Sequence, residues 1–543
     1  MGTALFFSFM GSLIICMALI PALMATAGRL QVVDFPGGRK IHPAPVAKVG
    51  GLAFAAGTFA AMLLWAPKEQ LITSSLIGGA VILLFGAWDD RVGLGYKSKF
   101  LGQILAAAVV VGIGGIHLTS IPFLWGVVLP LWAAVPLTLL LLVAVTNALN
   151  LADGLDGLAG GLSMLSLVGM AYLAYEAGDW IVMSMMVPVL GGLLGFLRFN
   201  TYPARIFMGD AGSQFLGFYL GVCAIVLTDP MRGPYSPALI SLIWGLPILD
   251  TAGVMVQRLT EGRSPFSADK NHVHHKLLGV GLTHREAVLA IYGVQASLVA
   301  LAYLMRWQSD GAILGVYSVF AVAVLVLFAR RSSRSLTSIR RDESAAIREG
   351  SSVSTGVRWH STLPVRLIGL AVSAFLAGTV LLPSDVPADL GYVASGLFVI
   401  LLAGEALWSS ARPMLVRAGL YVGSTFLLYL IEQPAQGVPA AFQTLSNVFF
   451  LALTLLIMLA IRFGVTQRFQ ATTLDYLMVC LAFAIPFLPE MHVGDINLSV
   501  LTAKMIVIFL AIELMLSALA ERLTQFGLVS LWVLLILGLR AWS

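Results

Sequence analysis

Two adjacent carboxylates, Asp89 and Asp90, close an apolar run in AWDDRVGLGYKSKFLGQ, and Arg91, Lys97 and Lys99 follow close behind. Carboxylates held together beside cations suit a divalent metal or a proton acceptor of raised pKa. The alternative is ordinary interfacial charge. Against it, the C-terminal end of a helix is the negative end of its dipole and a poor place for anions.

A second stretch, NALNLADGLDGLAGG at 147–161, directly follows LTLLLLVAVT. On a continuous helix Asn147, Asn150 and Asp153 share a face at three-residue spacing, and Asp156 has rotated to the opposite side. Gly154 and Gly157 predict that the helix stops near Asp153, turns tightly, and restarts at about 158. Such a turn gathers carboxylates and backbone N–H groups at one point. Capping by Asn and packing by Gly explain part of the stretch. They do not explain two Asp in a loop without Lys or Arg.

FMGDAGS places Asp210 between Gly209 and Gly212 at the start of another apolar run, with Phe207 available to stack on a ring. A helix N-terminus with small residues invites an anion or its metal counter-ion. In DKNHVHHKLLGVGLTHRE, His272, His274 and His275 resemble a zinc set, but the loop offers no fourth soft ligand. Phosphate binding with Lys270 and Lys276 fits better, and solvated interface histidines are the other reading. Arg39, Lys40, His42 and Lys48 form a further anion-binding candidate, in a loop stiffened by Pro36, Pro43 and Pro45. Together these loops offer carboxylates for Mg2+, cations for phosphates and an aromatic ring, all beside a membrane. That set suits transfer between a soluble phosphorylated donor, a nucleotide whose diphosphate needs the metal, and a lipid phosphate.

The elements that must position these loops are transmembrane helices. The 543 residues are 59% hydrophobic and 11% charged, with a mean hydropathy of +0.93. Apolar runs of about 18 residues or more dominate the chain, and the roughly ten-residue alternation of a β-barrel is absent. The predicted fold class is therefore all-α, a polytopic membrane protein. The net charge of +5 is no nucleic-acid signal in such a chain.

Spans are expected near 4–27, 49–66, 71–88, 101–118, 130–149, 158–176, 180–197, 213–228, 236–257, 286–305 and 312–329. Seven more are expected near 363–382, 390–408, 416–431, 443–461, 472–488, 499–519 and 524–541. With the N-terminus outside, 27 of the 32 Lys and Arg fall in inner segments, four fall outside, and Lys504 lies within a span. This is a strong positive-inside signal, and it puts all five chemical loops on the inner face. ALMATAGR at the end of the first run resembles a signal-peptidase site. No basic residue precedes that run and it is too long for a signal segment, so it reads as a retained span. Cys16, Cys223 and Cys480 lie in apolar runs and read as small core residues.

Three segments follow: a chemical module at 1–329, a basic, Ser-rich cytoplasmic linker at 330–362, and a second multi-span module at 363–543. The linker charge can rest on anionic headgroups or serve a partner. The second module carries sparse charges, Glu405, Lys504 and Glu513, that share no motif.

GRKIHPAPVAKVGG, DDRVGLGYKSKFLGQ, NALNLADGLDGLAGG, FMGDAGS and HVHH together make residues 1–330 resemble the polyprenyl-phosphate N-acetylhexosamine-1-phosphate transferases. The resemblance is to the undecaprenyl-phosphate GlcNAc-1-phosphate transferase branch. It implies transfer of a sugar-1-phosphate from a UDP-N-acetylhexosamine, most simply UDP-GlcNAc, to undecaprenyl phosphate. UMP is released, and a lipid-linked cell-envelope glycan is begun. It also implies a bacterial inner-membrane enzyme with a cytoplasmic active site, dependent on Mg2+ with Mn2+ as the substitute ion. Candidate partners are a second copy or other glycan-assembly proteins.

By motif, Asp89 and Asp90 resemble the catalytic pair, joined by Asp153. Asp210 resembles the principal Mg2+ ligand, with Asp153 as a second. Phe207 resembles the uracil-stacking ring. Asn147, Asn150 and Asp156 resemble the nucleotide and diphosphate surround, and Lys99, Arg39, Lys48, His272, His274 and His275 resemble substrate contacts. An Asp of the pair would deprotonate the acceptor phosphate for direct attack, or would attack the donor and form a phospho-enzyme.

Two departures stand out. PVAKVGG carries Ala47 and Lys48 where the family usually has Pro-Arg, so the charge is kept and the planar fork lost. The HVHH loop lacks the longer His-rich run of the peptidoglycan branch, which argues against a MurNAc-pentapeptide donor. The second module lies outside the resemblance. A different donor sugar, or a lipid-linked-glycan transporter or scaffold role for the second module, are the alternatives. A transporter predicts functional residues at mid-membrane depth, whereas these cluster at one face.

Overall fold

The computed structural model describes residues 2–35, 45–122, 127–264, 272–334, 363–383, 386–407, 412–433, 439–462, 492–493 and 496–542. The expected span at 472–488, Cys480, Lys270 and the loop residues Arg39, Lys40 and His42 lie outside the described residues, as does the side chain of Glu405. The chain divides into two compact units, the first Met1–Arg340 and the second taken up from Arg341.

Helices dominate both units. The first holds α1 (Gly2–Leu30), the short pair β1 (Val33–Asp34) and β2 (Val46–Ala47), α2 (Gly50–Trp65), α3 (Gln70–Val92), α4 (Tyr96–Gly112) and α5 (Leu131–Ala152). It continues with α6 (Leu158–Glu176), α7 (Trp180–Asn200), α8 (Gly209–Leu227), α9 (Ile240–Ile243), α10 (Gly245–Thr260), α11 (Val273–Gly279), α12 (His284–Leu304) and α13 (Asp310–Arg334). Among the described residues of the whole chain, ten helices are long and apolar enough to cross a membrane, or eleven if a bent pair counts as one span.

The organising helix is α8. Its sequence is apolar all round, which suits a helix enclosed by others, and every residue from Ala211 to Leu227 is buried. Helices α3 and α5 pack along it most extensively, with α2 and α6 beside them. Small residues allow the closest of these approaches. A Cβ on Gly86 of α3 would fall 2.8 Å from the backbone nitrogen of Ala211, and closer still to its Cα. Only glycine lets the two backbones pass so near.

At the other end of the unit, Arg306 clamps Glu176 through Nε at 2.7 Å and Nη2 at 2.8 Å, with its guanidinium 3.9 Å above the Tyr303 ring. That clamp ties the end of α6 to the end of α12.

The expected continuous span at 236–257 is instead broken. The pair Pro237–Ile243 and Gly245–Thr260 bends by 82°. Pro247 has no N–H for the carbonyl of residue 243, and its ring crowds that carbonyl, so the ladder cannot run through. Trp244 is buried at the corner. The bend sets the direction in which α10 leaves, and so the place of Asp250.

The second unit holds α14 (Leu363–Thr379), α15 (Ala388–Leu407), α16 (Arg412–Ile431), α17 (Ala440–Arg462), the pair β3 (His492–Val493) and β4 (Ile496–Asn497), α18 (Leu498–Ala518) and α19 (Leu523–Trp542). Two of its sparse charges, Lys504 and Glu513, are paired. Lys504 donates to Glu432 at 2.6 Å and to Ser446 at 3.2 Å. Glu513 lies 2.9 Å from Nε of Arg417 and accepts from the Tyr421 hydroxyl. Buried charges in an apolar unit require such partners. The partners come from other segments of the chain, 58 to 96 residues away, so no local motif announces them.

Candidate active site

The site forms where the C-terminal ends of α3, α5 and α7 meet the N-terminal end of α8. Gly209 stands at φ +73°, which turns the chain into α8 and leaves the backbone N–H groups of Asp210 and Ala211 without helical partners. Asp90 supplies both. Its Oδ1 accepts from the Asp210 N–H and its Oδ2 from the Ala211 N–H, each at 2.9 Å. The anion that is misplaced at the end of its own helix is well placed at the positive end of another. Asp89 and Asp90 are therefore not equivalent, although they are neighbours in sequence.

Asp89 turns the other way. Its Oδ1 accepts from the Leu94 N–H at 2.6 Å, and its Oδ2 meets the ammonium of Lys99. Lys99 also lies 3.3 Å from Oδ2 of Asp210, so one cation bridges two carboxylates. Oδ1 of Asp210 accepts from Nδ2 of Asn150 at 2.6 Å, and the same amide group reaches Oγ of Ser213 at 2.8 Å. Arg91 and Lys97, the other cations of the motif, are exposed.

Asn147 lies one turn back and pairs with Gln103, which also donates to Gln214 at 3.1 Å. This amide layer underpins the carboxylates. Gln103 sits inside a recognisable motif, but its residue type carried no chemical signal.

The backbone of the KVGG segment is stitched to FMGD. Phe207 N–H donates to the Ala47 carbonyl at 2.8 Å, Gly50 N–H to Phe207 at 3.0 Å, and Gly51 N–H to Met208 at 2.9 Å. Phe207 is thereby fixed beside α8 and stays partly exposed. Lys48 lies 3.5 Å from Asp34 of β1.

The 147–161 stretch behaves as its glycines predict. Helix α5 ends at Ala152, Asp153 caps it, and α6 starts after Gly157 at φ +80°. Among the described residues the Asp153 carboxylate has no hydrogen-bond partner. Burial, then the nearby charges of Asp210, Asp156 and Asp90, push its pKa up to about 7. A carboxylate with that surround gains most from an added cation. The donor set is all oxygen, and two carboxylates with substrate phosphates and water suffice for Mg2+. Asp210 and Asp153 fit that role, although among the described residues no three metal-ligating side chains converge.

Asp156 lies past the turn, as expected, but one of its oxygens is engaged by the protein. Its Oδ2 accepts from the Ala204 N–H at 2.9 Å. Nearby, Asn200 accepts from the Gly157 N–H at 3.0 Å and donates to the Ile206 carbonyl at 2.9 Å. The Tyr292 hydroxyl donates to the Gly157 carbonyl at 2.5 Å. These bonds tie the turn to the segment leading into α8. Asn200→Ala removes a buried partner from two backbone groups and is expected to cost roughly 1–3 kcal/mol. A lowered thermal unfolding midpoint of the purified protein checks this, and an unchanged midpoint refutes it.

The histidine helix α11 closes the site from the far side. His274 is buried and packs on Gly154, where a Cβ would lie 2.5 Å from its Cε1. Burial and the neighbouring His275 lower the His274 pKa to about 4, so the ring is neutral near pH 7. His272 Nδ1 lies 2.9 Å from Oδ2 of Asp250 on α10, and Oδ1 of Asp250 accepts from the Val273 N–H at 2.8 Å. The rings of His272 and His274 lie parallel at 5.7 Å, and His275 is 4.3 Å from His274. Asp250 was not among the sequence candidates. It sits in the apolar run PILDTAGVMV, and that isolation is the only signal it gave.

Residues 72–228, which carry α3 through α8, match the model described as glycosyl transferase family 4. The chain is similar to a probable undecaprenyl-phosphate N-acetylglucosaminyl 1-phosphate transferase of Bacillus subtilis (strain 168). The two are 35% identical over 328 residues, covering 59% of this chain and 89% of the relative. A decaprenyl-phosphate N-acetylglucosaminephosphotransferase of Mycobacterium leprae (strain TN) is 35% identical over 340 residues, 56% of this chain and 85% of the relative. An undecaprenyl-phosphate alpha-N-acetylglucosaminyl 1-phosphate transferase of Escherichia coli (strain K12) is 30% identical over 295 residues, 52% of this chain and 78% of the relative.

Proposed function

The chain belongs to the polyprenyl-phosphate N-acetylglucosaminyl-1-phosphate transferase family, and from that premise we propose how its site works. It transfers GlcNAc-1-phosphate to a polyprenyl phosphate. We take the acceptor as undecaprenyl phosphate and the donor as UDP-GlcNAc. An oxygen of the acceptor phosphate attacks the phosphorus that bears the sugar. The bond from that phosphorus to UMP breaks, UMP leaves, and the lipid carries a diphosphate-linked sugar.

One observation supports this reading most directly. Asp89, Lys99, Asn150, Asp153 and Asp210 come from three separate loops and converge at one helix N-terminus, within the segment matched by the family model. Asp89 is the candidate proton acceptor for the acceptor phosphate. Asp90 has both oxygens committed to the backbone, and Asp89 is hydrogen-bonded and ion-paired. Asp90 is thus not presented as a nucleophile, and we take the reaction as direct attack with Asp89 as the base. Asp210 and Asp153 are the residues that would hold Mg2+, with Mn2+ as the substitute. Bound there, the ion supplies charge neutralisation for the donor diphosphate and the departing UMP. Phe207 offers a ring face to the uracil, Lys99 offers donors to phosphate oxygens, and the histidine helix offers ring nitrogens to the substrate. The excess of Lys and Arg on the same face supports a site on the cytoplasmic side, and we take the membrane to be the bacterial inner membrane.

The test is UMP release by the purified full-length protein, given undecaprenyl phosphate, Mg2+ and a panel of UDP-sugars. UDP-GlcNAc is expected to be the preferred donor, and no release with any sugar overturns the reading. The second unit is proposed to be accessory to the transfer. A chain ending at Arg341 is expected to keep the activity, and a well-inserted but inactive truncation would show that the second unit is required.

A further inference from the structure

We propose that Asp250 is a positioning residue of this site, setting the tautomer and the place of His272. The inference rests on the functional reading above. Asp250 lies on α10 just after the bend at Trp244, and its carboxylate has two protein partners. Oδ1 takes the N–H of Val273, the first residue of α11, for which the His272 side chain provides no cap. Oδ2 faces Nδ1 of His272 at 2.9 Å. A carboxylate only accepts, so the proton of the ring must sit on Nδ1. Nε2 is then the nitrogen left for a substrate, and it has no partner among the described residues. Both side chains are largely buried, at 11% and 6% exposure, so water does not compete well for the bond.

The same carboxylate holds α11 in register. Fixing Val273 fixes His274 one residue on, and His274 rests on Gly154 beside Asp153. Asp250 thus acts through two histidines without reaching the substrate itself. The logic is that of a carboxylate orienting an imidazole, in which the outer partner fixes the ring and its tautomer.

The experiment compares Asp250→Asn, His272→Gln and the double variant in the full-length protein. Asn at 250 keeps an acceptor for the Val273 N–H, but it presents an amide N–H to the ring. That N–H needs a lone pair on Nδ1, so the proton must move to Nε2. In protein labelled with 15N-histidine, the His272 signals are identified by their loss in His272→Gln. Nδ1 of His272 is expected to be protonated in the parent and unprotonated in Asp250→Asn. An Nδ1 that stays protonated in Asp250→Asn overturns the proposal, whatever the activity.

In the transfer assay Asp250→Asn is expected to lose at least ~10-fold in kcat/KM. The double variant is expected to be no worse than His272→Gln, because the two residues act as one. Losses that multiply in the double variant, or an Asp250→Asn within ~2-fold of the parent, also overturn it. Failure of the parent to release UMP would count against the functional reading instead, and the nitrogen signals would still decide the role of Asp250.

Discussion

Asp210→Asn is expected to lower the rate of transfer by on the order of 10³-fold while the protein inserts and purifies like the parent. Asp210 sits in the first turn of the most enclosed helix of the first unit, facing Asn150 at 2.6 Å and Lys99 at 3.3 Å. Asn preserves its volume and the first turn of α8, and removes only the charge. That charge is what would hold a cation against the donor diphosphate and what anchors Lys99 between two carboxylates. Asp89→Asn is expected to fall as far, because it removes the other half of the Lys99 bridge and the candidate proton acceptor. Asp90→Asn is expected to lose at least ~10-fold less than either. Asn is as good a helix cap as Asp, and it keeps an acceptor for one of the two N–H groups. Initial rates of UMP release at saturating substrates measure all three. An Asp210→Asn enzyme within ~10-fold of the parent would sink the assignment. Equal losses at 89 and 90 would sink the division between them.

The second large effect involves a residue that touches no substrate. Gly86→Ala is expected to reduce transfer by on the order of 10²-fold, because a misplacement of about 1 Å at reacting groups costs that much. The new Cβ would meet the backbone of α8 at Ala211, with the nitrogen at 2.8 Å and the carbonyl of Asp210 at 2.9 Å. Backbone cannot swing aside as a side chain can, so α3 must withdraw from α8. Asp89 and Asp90 lie on the next turn of α3 and must withdraw with it. The Asp90 cap and the Lys99 bridge should both loosen. The substitution should also lower the unfolding midpoint, since the α3–α8 contact is central to the unit. Normal turnover by Gly86→Ala would show that this close approach does not set the geometry of the pair. Gly78→Ala is a useful companion. It lies farther up the same helix, facing the Ala106 carbonyl, Phe218 and Val110, away from the carboxylates, and should affect stability more than turnover.

Much of this architecture is legible in the amino-acid order alone. The run of apolar segments, their ends and the concentration of polar residues in one set of loops follow from hydropathy and turn chemistry, which act locally. The end of α5 near Asp153 and the restart of α6 after Gly157 are legible for the same reason. The broken span at Trp244 is not, although Pro247 stands in the sequence. Other helices here, α5 and α7 among them, carry an internal Pro without such a break, so the residue alone does not say which will bend. Asn147 and Asn150 are both legible as candidates. Their partners, Gln103 for one and Asp210 for the other, are not.

The amino-acid sequence by itself determined the helical membrane class and the approximate spans, and it set the expectation of their sidedness and of the loops that carry the chemistry. Each of these depends on the composition of a short window or on charge counted by side. Only the tertiary structure decided which of two adjacent aspartates caps α8 and which meets Lys99. It alone brought Asp250 to His272, His274 to Gly154, and Lys504 and Glu513 to their partners. Those outcomes depend on where distant helix ends meet, to within an ångström, and a pattern along one helix holds no information about the residue that will face it from another.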